Sequence, residues 1–300
     1  MSGNLSTSIL ARLLTLAKQR GDDYSLLLNR FALERLLLRI STSPHANRFL
    51  LKGALLFALW FDDPHRPTRD ADFLGSGPDD EANLIPTFRD IAGMDLGDGI
   101  VFDPESVKAD AIREDNTYGG TRITLVARIG SARCALQIDV GFGDAVTPEP
   151  QTVTYPTLLK DFQAPTLRVY PVYTVIAEKY QAMVMLGRAN SRMKDFYDLA
   201  VIAQRTTLDG ATLATAIAAT FARRLTPLPS ERPMALTSQF SEDPSKLRQW
   251  LAFLNKNRIT ATSLADTVSM LDLLLWPPTQ VAAANSLATA TWHPESGRWS

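Results

Sequence analysis

The chain has 300 residues, 45% of them hydrophobic and 21% charged, so it can bury a core and does not have the composition of a disordered protein. Its 31 basic and 32 acidic residues give a formal net charge of −1, which excludes a uniformly basic nucleic-acid-binding coat but leaves room for a local basic face. The single cysteine, Cys134, excludes an internal disulfide framework, and three widely separated histidines argue against a His-rich zinc site.

The sequence predicts no membrane-spanning segment. The longest apolar run, residues 54–61, has eight residues, whereas a transmembrane helix needs about 18 or more. Arg12 interrupts the apolar stretch near the N-terminus and no basic cluster precedes it, unlike the pattern of a secretory signal peptide. We therefore expect a soluble, cytoplasmic protein without a membrane partner.

Positive charge is concentrated at the start of the chain. The first 52 residues contain eight basic and three acidic side chains, a balance of +5, so the remainder carries −6. Arg35 and Arg39 are four residues apart and share a helix face, with Arg30 about a turn and a half earlier. Such a face predicts a polyanionic partner such as RNA. The alternative is an ordinary solvated helix surface.

Hydrophobic periodicity predicts the secondary structure. The predicted helices cover residues 5–19, 25–40, 79–95, 174–187, 195–205, 208–223, 243–256 and 261–275. Two alternating segments rich in β-branched residues predict strands at 122–129 and 134–140, and residues 66–75 are predicted to be a loop that enters a short strand. Gly130 and Ser131 between them are typical turn residues and predict an antiparallel hairpin.

The pattern divides the chain into three parts. We expect residues 1–170 to form a small mixed β-sheet with flanking helices and residues 171–278 to form a C-terminal helical bundle, which together make an α+β fold. Pro277 and Pro278 are expected to end the last helix. The Ala-, Thr- and Ser-rich residues 279–300 are expected to be a weakly ordered tail.

Three aspartates on predicted strands form a candidate metal site. Asp70 and Asp72 lie two residues apart, so on a strand they point to the same face, and Asp139 closes a second strand. Together they offer the oxygen ligands that Mg²⁺ prefers beside a phosphate. Lys52 and Gly53 are placed at a helix start, where a glycine lets backbone N–H groups approach a phosphate. Taken singly, each aspartate is typical of a turn or a cap.

A second group of charged residues lies in the helical half. Lys179 lies within an apolar helix face, where a lysine either extends to solvent or is held for an anion. Arg192, Lys194 and Asp195 open the next predicted helix, with Asp198 one turn later. Cations at a helix N-terminus oppose the macrodipole, which favours a ligand-binding role. The alternative for each residue alone is a surface position.

Five segments carry a resemblance to a known family. They are LKG at 51–53, RPTRDAD at 66–72, QIDV at 137–140, AEK at 177–179 and RMKDFYDL at 192–199. In this order they resemble the AbiEii/AbiGii toxin family of nucleotidyltransferases, within the DNA polymerase β-like superfamily. The resemblance covers about 49–200, with similar helical context over most of the chain, and implies that residues 1–170 form the nucleotidyltransferase core.

The resemblance implies a role for each matching position. Asp70 and Asp72 match the metal-binding pair, Asp139 matches the third metal-binding position, and Mg²⁺ or Mn²⁺ is the implied metal. Lys179 matches the lysine that holds the triphosphate, and Asp195 matches the acidic residue of the last motif. The implied catalytic residues are Asp70, Asp72, Lys179 and Asp195. The implied nucleotide-binding residues are Lys52, Gly53, Thr68, Lys179, Arg192 and Lys194.

The implied protein is the toxin of a toxin–antitoxin pair, which moves a nucleoside monophosphate from an NTP to an acceptor hydroxyl. The 3′ end of tRNA is the first-choice acceptor, and the partners are a tRNA or other RNA and a cognate antitoxin, for which a winged-helix transcriptional regulator is a candidate. Two alternatives stay open: transfer to a small molecule or protein, and a binding protein whose catalytic site has decayed. The choice between Asp195 and Asp198 as the active carboxylate is also open.

Overall fold

The computed structural model describes residues 2–61, 66–112, 119–260, 262–284 and 290–300. The chain falls into two units, neither of which is continuous in sequence. The first comprises Met1–Gly143 and Gln151–Tyr170, and the second comprises Asp144–Pro150 and Pro171–Ser300. Within the described ranges, no helix combines the length and the apolar character that a membrane crossing requires.

The first unit is built on a seven-stranded mixed sheet. Its helices are α1 (Ser2–Arg20), α2 (Tyr24–Thr42), α3 (Phe57–Trp60) and α4 (Glu81–Ala92). Its strands are β1 (Phe49–Lys52), β2 (Asp70–Gly75), β3 (Val101–Ile112), β4 (Gly120–Ile129), β5 (Ala132–Phe142), β6 (Gln151–Thr154) and β7 (Thr166–Val169). The strand order is β3-β4-β5-β2-β1-β7-β6, with β2–β5 and β1–β7 parallel. The α+β fold class is confirmed, although the sheet is larger than expected.

The β4–β5 hairpin sets the register at the centre of this sheet. The two strands pair antiparallel across a two-residue turn at Gly130 and Ser131, as predicted. Gly130 has φ +56°, a left-handed conformation that favours glycine and suits a tight hairpin turn. As a result β4 presents Arg122 directly opposite Asp139 of β5.

Alternation along the strands separates an apolar face from a polar one. In β2, Phe73 is fully buried, whereas Asp70 and Asp72 are half-buried on the opposite face. The apolar face packs against α2 and α4. The ring of Phe49 lies 5.8 Å from that of Phe73 and 5.3 Å from that of Phe88 in α4. Burial of each such side chain contributes about 1.5–3 kcal/mol, which fixes the aspartates on the other face.

The prediction that the second helix presents an RNA-binding face is wrong. Arg39 of α2 is 1% exposed and Arg35 is fully buried. Arg39 forms a two-point ion pair with Asp98, at 2.9 Å from Nη1 to Oδ2 and 2.8 Å from Nη2 to Oδ1. Arg35 pairs with the adjacent Glu34 and donates to the carbonyl of Gln163 at 2.9 Å. Because both guanidinium groups are engaged inside the unit, neither is available to RNA phosphates.

The second unit is mainly helical. Its helices are α5 (Val172–Leu186), α6 (Met193–Arg205), α7 (Gly210–Arg223), α8 (Ser238–Ser241), α9 (Pro244–Asn257) and α10 (Leu264–Ala284). A small sheet in the order β10-β9-β8 accompanies them. Its strands are β8 (Leu208–Asp209), β9 (Thr291–His293) and β10 (Arg298–Trp299).

The segment Asp144–Pro150 is held in the second unit by side-chain contacts. Arg224, directly after α7, donates to Asp144 Oδ1 at 3.0 Å from Nε and 2.9 Å from Nη2. The hydroxyl of Thr174 donates to the Thr147 carbonyl at 2.8 Å and accepts from the Thr147 N–H at 2.9 Å. These contacts explain why this short segment belongs with the helices of the second unit.

The expected end of the last helix at the proline pair is wrong. α10 continues through Pro277 and Pro278 to Ala284, although an internal proline costs a helix about 3 kcal/mol. Pro278 and Thr279 are buried, and the Thr279 hydroxyl donates to the Leu275 carbonyl at 2.6 Å. Burial of this turn in the unit therefore outweighs the local preference.

The expected weakly ordered tail over 279–300 is wrong for the residues that the structure describes there. Trp292 of β9 is fully buried and donates its indole N–H to the Ala203 carbonyl at 2.7 Å. Its ring lies 5.5 Å from that of Trp299, which donates to the Leu273 carbonyl at 3.0 Å. Two tryptophans thus tie β9 and β10 to the helices, although the flanking composition resembles a linker.

Replacement of Arg39 by glutamine is expected to lower the free energy of unfolding by roughly 3–5 kcal/mol, because Asp98 would stay largely buried without its partner. Urea denaturation followed by circular dichroism measures this change. Arg20→Gln, at the exposed end of α1, is the control and should change stability by less than about 0.5 kcal/mol. Equal losses in both variants would contradict a buried structural role for Arg39.

Candidate functional site

Four charged residues form a row across the polar face of the first unit's sheet. Lys52 of β1 is paired with Asp72 of β2. Asp72 is paired in turn with Asp139 of β5, which is paired with Arg122 of β4. Because side chains paired on neighbouring strands are about 5 Å apart at their Cβ atoms, two aspartates lie side by side with a cation on each flank.

The three predicted aspartates lie together. Asp70, Asp72 and Asp139 each place a carboxylate oxygen within 4.8 Å of the other two, and all three are half-buried. Carboxylates this close repel one another unless cations neutralise them. Hard oxygen donors are the ligands that Mg²⁺ and Mn²⁺ prefer, so this set of donors fits a divalent cation.

Lys52 and Gly53 form a strand-to-helix turn. β1 ends at Lys52, and Gly53–Leu56 make a 3₁₀ turn into the four-residue α3, so the expected helix start is short and tightly wound. Gly53 has φ +75°, and a Cβ at this position would lie 2.0 Å from Oδ2 of Asp72. Only glycine therefore lets the backbone come so close to that carboxylate.

Two predicted nucleotide-binding residues contact protein groups in the first unit. The hydroxyl of Thr68 donates to Oδ1 of Asp70, so Thr68 orients a metal-site carboxylate. The ammonium group of Lys52 lies 5.5 Å from the centroid of the Tyr170 ring, a cation–π distance. Both side chains therefore lie beside the aspartates, and Thr68 is hydrogen-bonded to one of them, Asp70.

Arg122 is a site residue that the sequence reasoning missed. It donates to Asp139 at 2.8 Å from Nε to Oδ1 and at 2.7 Å from Nη2 to Oδ2, and the side-chain amide of Gln137 lies against the same groups. The hydrogen bonds that Arg122 donates to Asp139 raise the pKa of Arg122, as do the charges of Asp139, Asp70 and Asp72. The predicted two-residue turn already contained this signal, because it places residue 122 opposite residue 139.

The second predicted group also comes together, within the second unit. Lys179 of α5 donates to Asp195 at 2.7 Å and to Asp198 at 2.8 Å, and both aspartates are on α6. Nε of Arg192 donates to the other oxygen of Asp195 at 2.7 Å. Lys194 is exposed at the start of α6, outside this cluster. Lys179 thus contacts both carboxylates between which the sequence could not choose.

Burial and charge oppose each other in this cluster. Burial alone would raise the pKa of Asp195, but the attraction of Lys179 and Arg192 outweighs it, and the pKa lies below its ordinary value. Burial likewise would lower the pKa of Lys179, but the attraction of Asp195 and Asp198 raises it. The surrounding charges therefore favour the charged forms of both Lys179 and Asp195.

The loop before α6 is fixed by two residues that the sequence reasoning did not single out. Oδ1 of Asn190 accepts from the N–H of Arg192 at 2.8 Å. Lys246 of α9, only 4% exposed, donates to the carbonyl of Asn190 at 2.8 Å. A lysine buried to this extent is unusual, and here it sets the backbone that carries Arg192.

Gly53→Ala is expected to weaken Mn²⁺ binding by roughly tenfold or more, because the new methyl group would displace the Asp72 carboxylate. Titration followed by Mn²⁺ electron paramagnetic resonance measures the affinity. Gly21→Ala is the matched control, since Gly21 has a similar φ of +71° but open space at its Cβ position. The left-handed backbone alone should cost both variants about 1–2 kcal/mol of stability, and unchanged Mn²⁺ affinity in Gly53→Ala would contradict the expected displacement of Asp72.

Lys179→Met is expected to lower the free energy of unfolding by roughly 3–5 kcal/mol at neutral pH, because Asp195 and Asp198 would remain buried without their shared cation. Lys194→Met, on the exposed surface of α6, is the control. A carboxyl whose folded-state pKa is lowered contributes stability that is lost as pH falls through that pKa. The difference between wild type and Lys179→Met, measured by urea denaturation, should therefore shrink at acid pH.

Comparison with known proteins assigns the family. Residues 35–272 match the family described as nucleotidyl transferase AbiEii toxin, type IV toxin–antitoxin system. Among curated proteins there is no match. Two Helicobacter pylori structures, JHP933 and a candidate nucleotidyltransferase, are 15% and 17% identical, each over 86% of this chain and over 92% and 95% of their own, both with a TM-score of 0.46. On the family match, which spans most of its length, the chain belongs to the AbiEii family of nucleotidyl transferase toxins.

Proposed function

We propose that this chain is the toxin of a type IV toxin–antitoxin pair and transfers a nucleoside monophosphate from an NTP to an acceptor hydroxyl. The acceptor oxygen forms a bond to the α-phosphorus, the bond from that phosphorus to the bridging oxygen breaks, and pyrophosphate leaves. The observation that supports this proposal is the Asp70, Asp72 and Asp139 cluster, with its oxygens within 4.8 Å of one another. Family membership alone would leave a decayed binding protein possible, and the intact cluster argues against decay.

The roles proposed for the first unit follow from its geometry. Asp70, Asp72 and Asp139 would hold Mg²⁺ or Mn²⁺, which when bound neutralises phosphate charge and acidifies the attacking hydroxyl. Asp70 and Asp72 orient that hydroxyl, and Thr68 keeps Asp70 in place through its hydrogen bond. The turn at Gly53 brings backbone close to Asp72, where a phosphate oxygen would lie.

The roles proposed for the second unit rest on the charge of its cluster. Lys179 neutralises the charge that develops on the β- and γ-phosphates, and Asp195 keeps Lys179 charged and oriented. Asp198 also helps to keep Lys179 charged and oriented, since it contacts the same ammonium group. Arg192 and Lys194 are proposed as further nucleotide contacts, and Arg192 is already fixed by Asp195.

The acceptor proposed is the 3′ end of tRNA, and the support for it is the family resemblance alone. The basic face of α2 no longer supports an RNA acceptor, because Arg35 and Arg39 are buried and paired. A small molecule or a protein therefore stays the alternative acceptor. The toxin–antitoxin family implies a cognate antitoxin, for which a winged-helix regulator is our candidate.

The test is transfer of label from each of the four α-³²P-labelled NTPs to total tRNA, to a pool of other RNAs and to a cell extract depleted of RNA. We expect labelled tRNA with the wild type and a loss of at least about 100-fold with Asp70→Asn or Asp72→Asn, since either change removes a carboxylate that holds the metal. Asp22→Asn, on the exposed surface after α1, is the control.

The outcomes separate the candidates. Label on protein or a small molecule instead of tRNA, with the same dependence on Asp70, would keep the chemistry and replace the acceptor. Transfer that survives Asp70→Asn and Asp72→Asn in folded protein would refute the metal-site assignment. No transfer from any NTP by wild-type protein would favour the decayed binding protein.

A further inference from the structure

Arg122 has no part in the reaction as proposed, yet it contacts the aspartate cluster directly. We infer that Arg122 is the internal counter-ion of this cluster: its guanidinium group holds both oxygens of Asp139 when no divalent cation is bound and releases them when one binds. In a second step, which rests on the proposed function, the released guanidinium binds a phosphate oxygen of the nucleotide.

The geometry of the pair carries the first step. Arg122 uses Nε and Nη2 on the two different oxygens of Asp139, at 2.8 and 2.7 Å. In this two-point arrangement one lone pair on each oxygen is directed at the guanidinium group. Asp139 can offer these two lone pairs to a metal ion beside Asp70 and Asp72 only if the two-point contact loosens.

The charges of the cluster point the same way. Three carboxylates with oxygens within 4.8 Å of one another need positive charge nearby, and Arg122 supplies it at the Asp139 end of the row. The same fixed charge repels an incoming divalent cation. Arg122 therefore stabilises the cluster before metal binding and opposes the metal while it stays in place.

Exposure distinguishes Arg122 from an arginine with a purely structural role. Arg39 also makes a two-point contact, with Asp98, but its side chain is 1% exposed and it donates in addition to three backbone carbonyls. The side chain of Arg122 is 42% exposed. Its guanidinium group can therefore turn into solvent without opening the core.

A released Arg122 is suited to the nucleotide. A guanidinium group presents paired N–H donors that match phosphate as well as carboxylate oxygens. It lies on the strand next to the metal-binding carboxylates, so a small rotation of the side chain exchanges one anion for another. This exchange would couple metal binding to nucleotide binding.

The first step is tested by Mn²⁺ affinity without nucleotide, measured by electron paramagnetic resonance. Arg122→Gln should bind Mn²⁺ on the order of tenfold more tightly than wild type, because both the competing contact and the repulsive charge are gone. Arg122→Lys keeps the charge without the two-point contact and should give a smaller gain. Arg128→Gln is the matched control, since Arg128 is exposed on the same face of β4, six residues along, and should change the affinity by less than about twofold.

Unchanged or weaker Mn²⁺ binding in folded Arg122→Gln would overturn the inference and make Arg122 a residue that orients Asp139 for the metal. A measurement on wild-type protein covers the case in which the variant fails to fold. Mg²⁺ should shift the ¹⁵Nε–H signal of Arg122 and speed its exchange with water as the bond to Asp139 is lost. A signal that does not move at saturating Mg²⁺ would also overturn the inference.

The second step is tested with the NTP that the wild-type enzyme uses. Arg122→Gln should raise the KM for that NTP several-fold, and Arg128→Gln should leave it unchanged. An unchanged KM in Arg122→Gln would refute the second step and leave the first. Because the Mn²⁺ measurements need no turnover, a wild-type protein without transferase activity would refute the proposed function and leave the counter-ion role to be judged on Mn²⁺ affinity.

Discussion

The repulsion among three carboxylates on adjacent strands is the constraint that organises the first unit's site. Strand pairing fixes Asp72 beside Asp139, and alternation along β2 puts Asp70 on the same face, so the negative charges cannot move apart without breaking the sheet. Positive charge must therefore come to them. Lys52 and Arg122 flank the row on the strands to either side, and a divalent cation would supply further positive charge.

Much of this site can be predicted from local sequence. The two-residue spacing of Asp70 and Asp72 predicts a shared face, and the strand signal around Asp139 predicts a neighbouring position in the sheet. Arg122 could have been found as well, because a two-residue turn determines every facing pair of a hairpin. Thr68 and Gly53 were singled out as nucleotide contacts, yet in the structure Thr68 donates to Asp70 and Gly53 lies against Asp72, which periodicity does not predict.

The failures share one physical cause, which is dependence on partners that are distant in sequence. Helical spacing predicts Arg39 as a surface charge, but in the structure it is buried and paired with Asp98, 59 residues away. The proline pair predicts the end of a helix, but in the structure the burial of Pro278 outweighs the energetic cost of proline inside the helix. Helical spacing and charge counts report only what neighbouring residues prefer, whereas burial depends on the whole unit.

The discontinuous division of the chain has a consequence for how the toxin matures on the ribosome. The sheet of the first unit lacks β7, the partner of β1, until residue 169 has been made, and the chain has by then passed through 144–150 of the second unit. The second unit in turn lacks its buried Trp292 until residues 291–299 emerge. Domains generally fold in order of synthesis, but here neither unit can close early. The sheet that carries the three aspartates can therefore be complete only after more than half of the 300 residues have been translated.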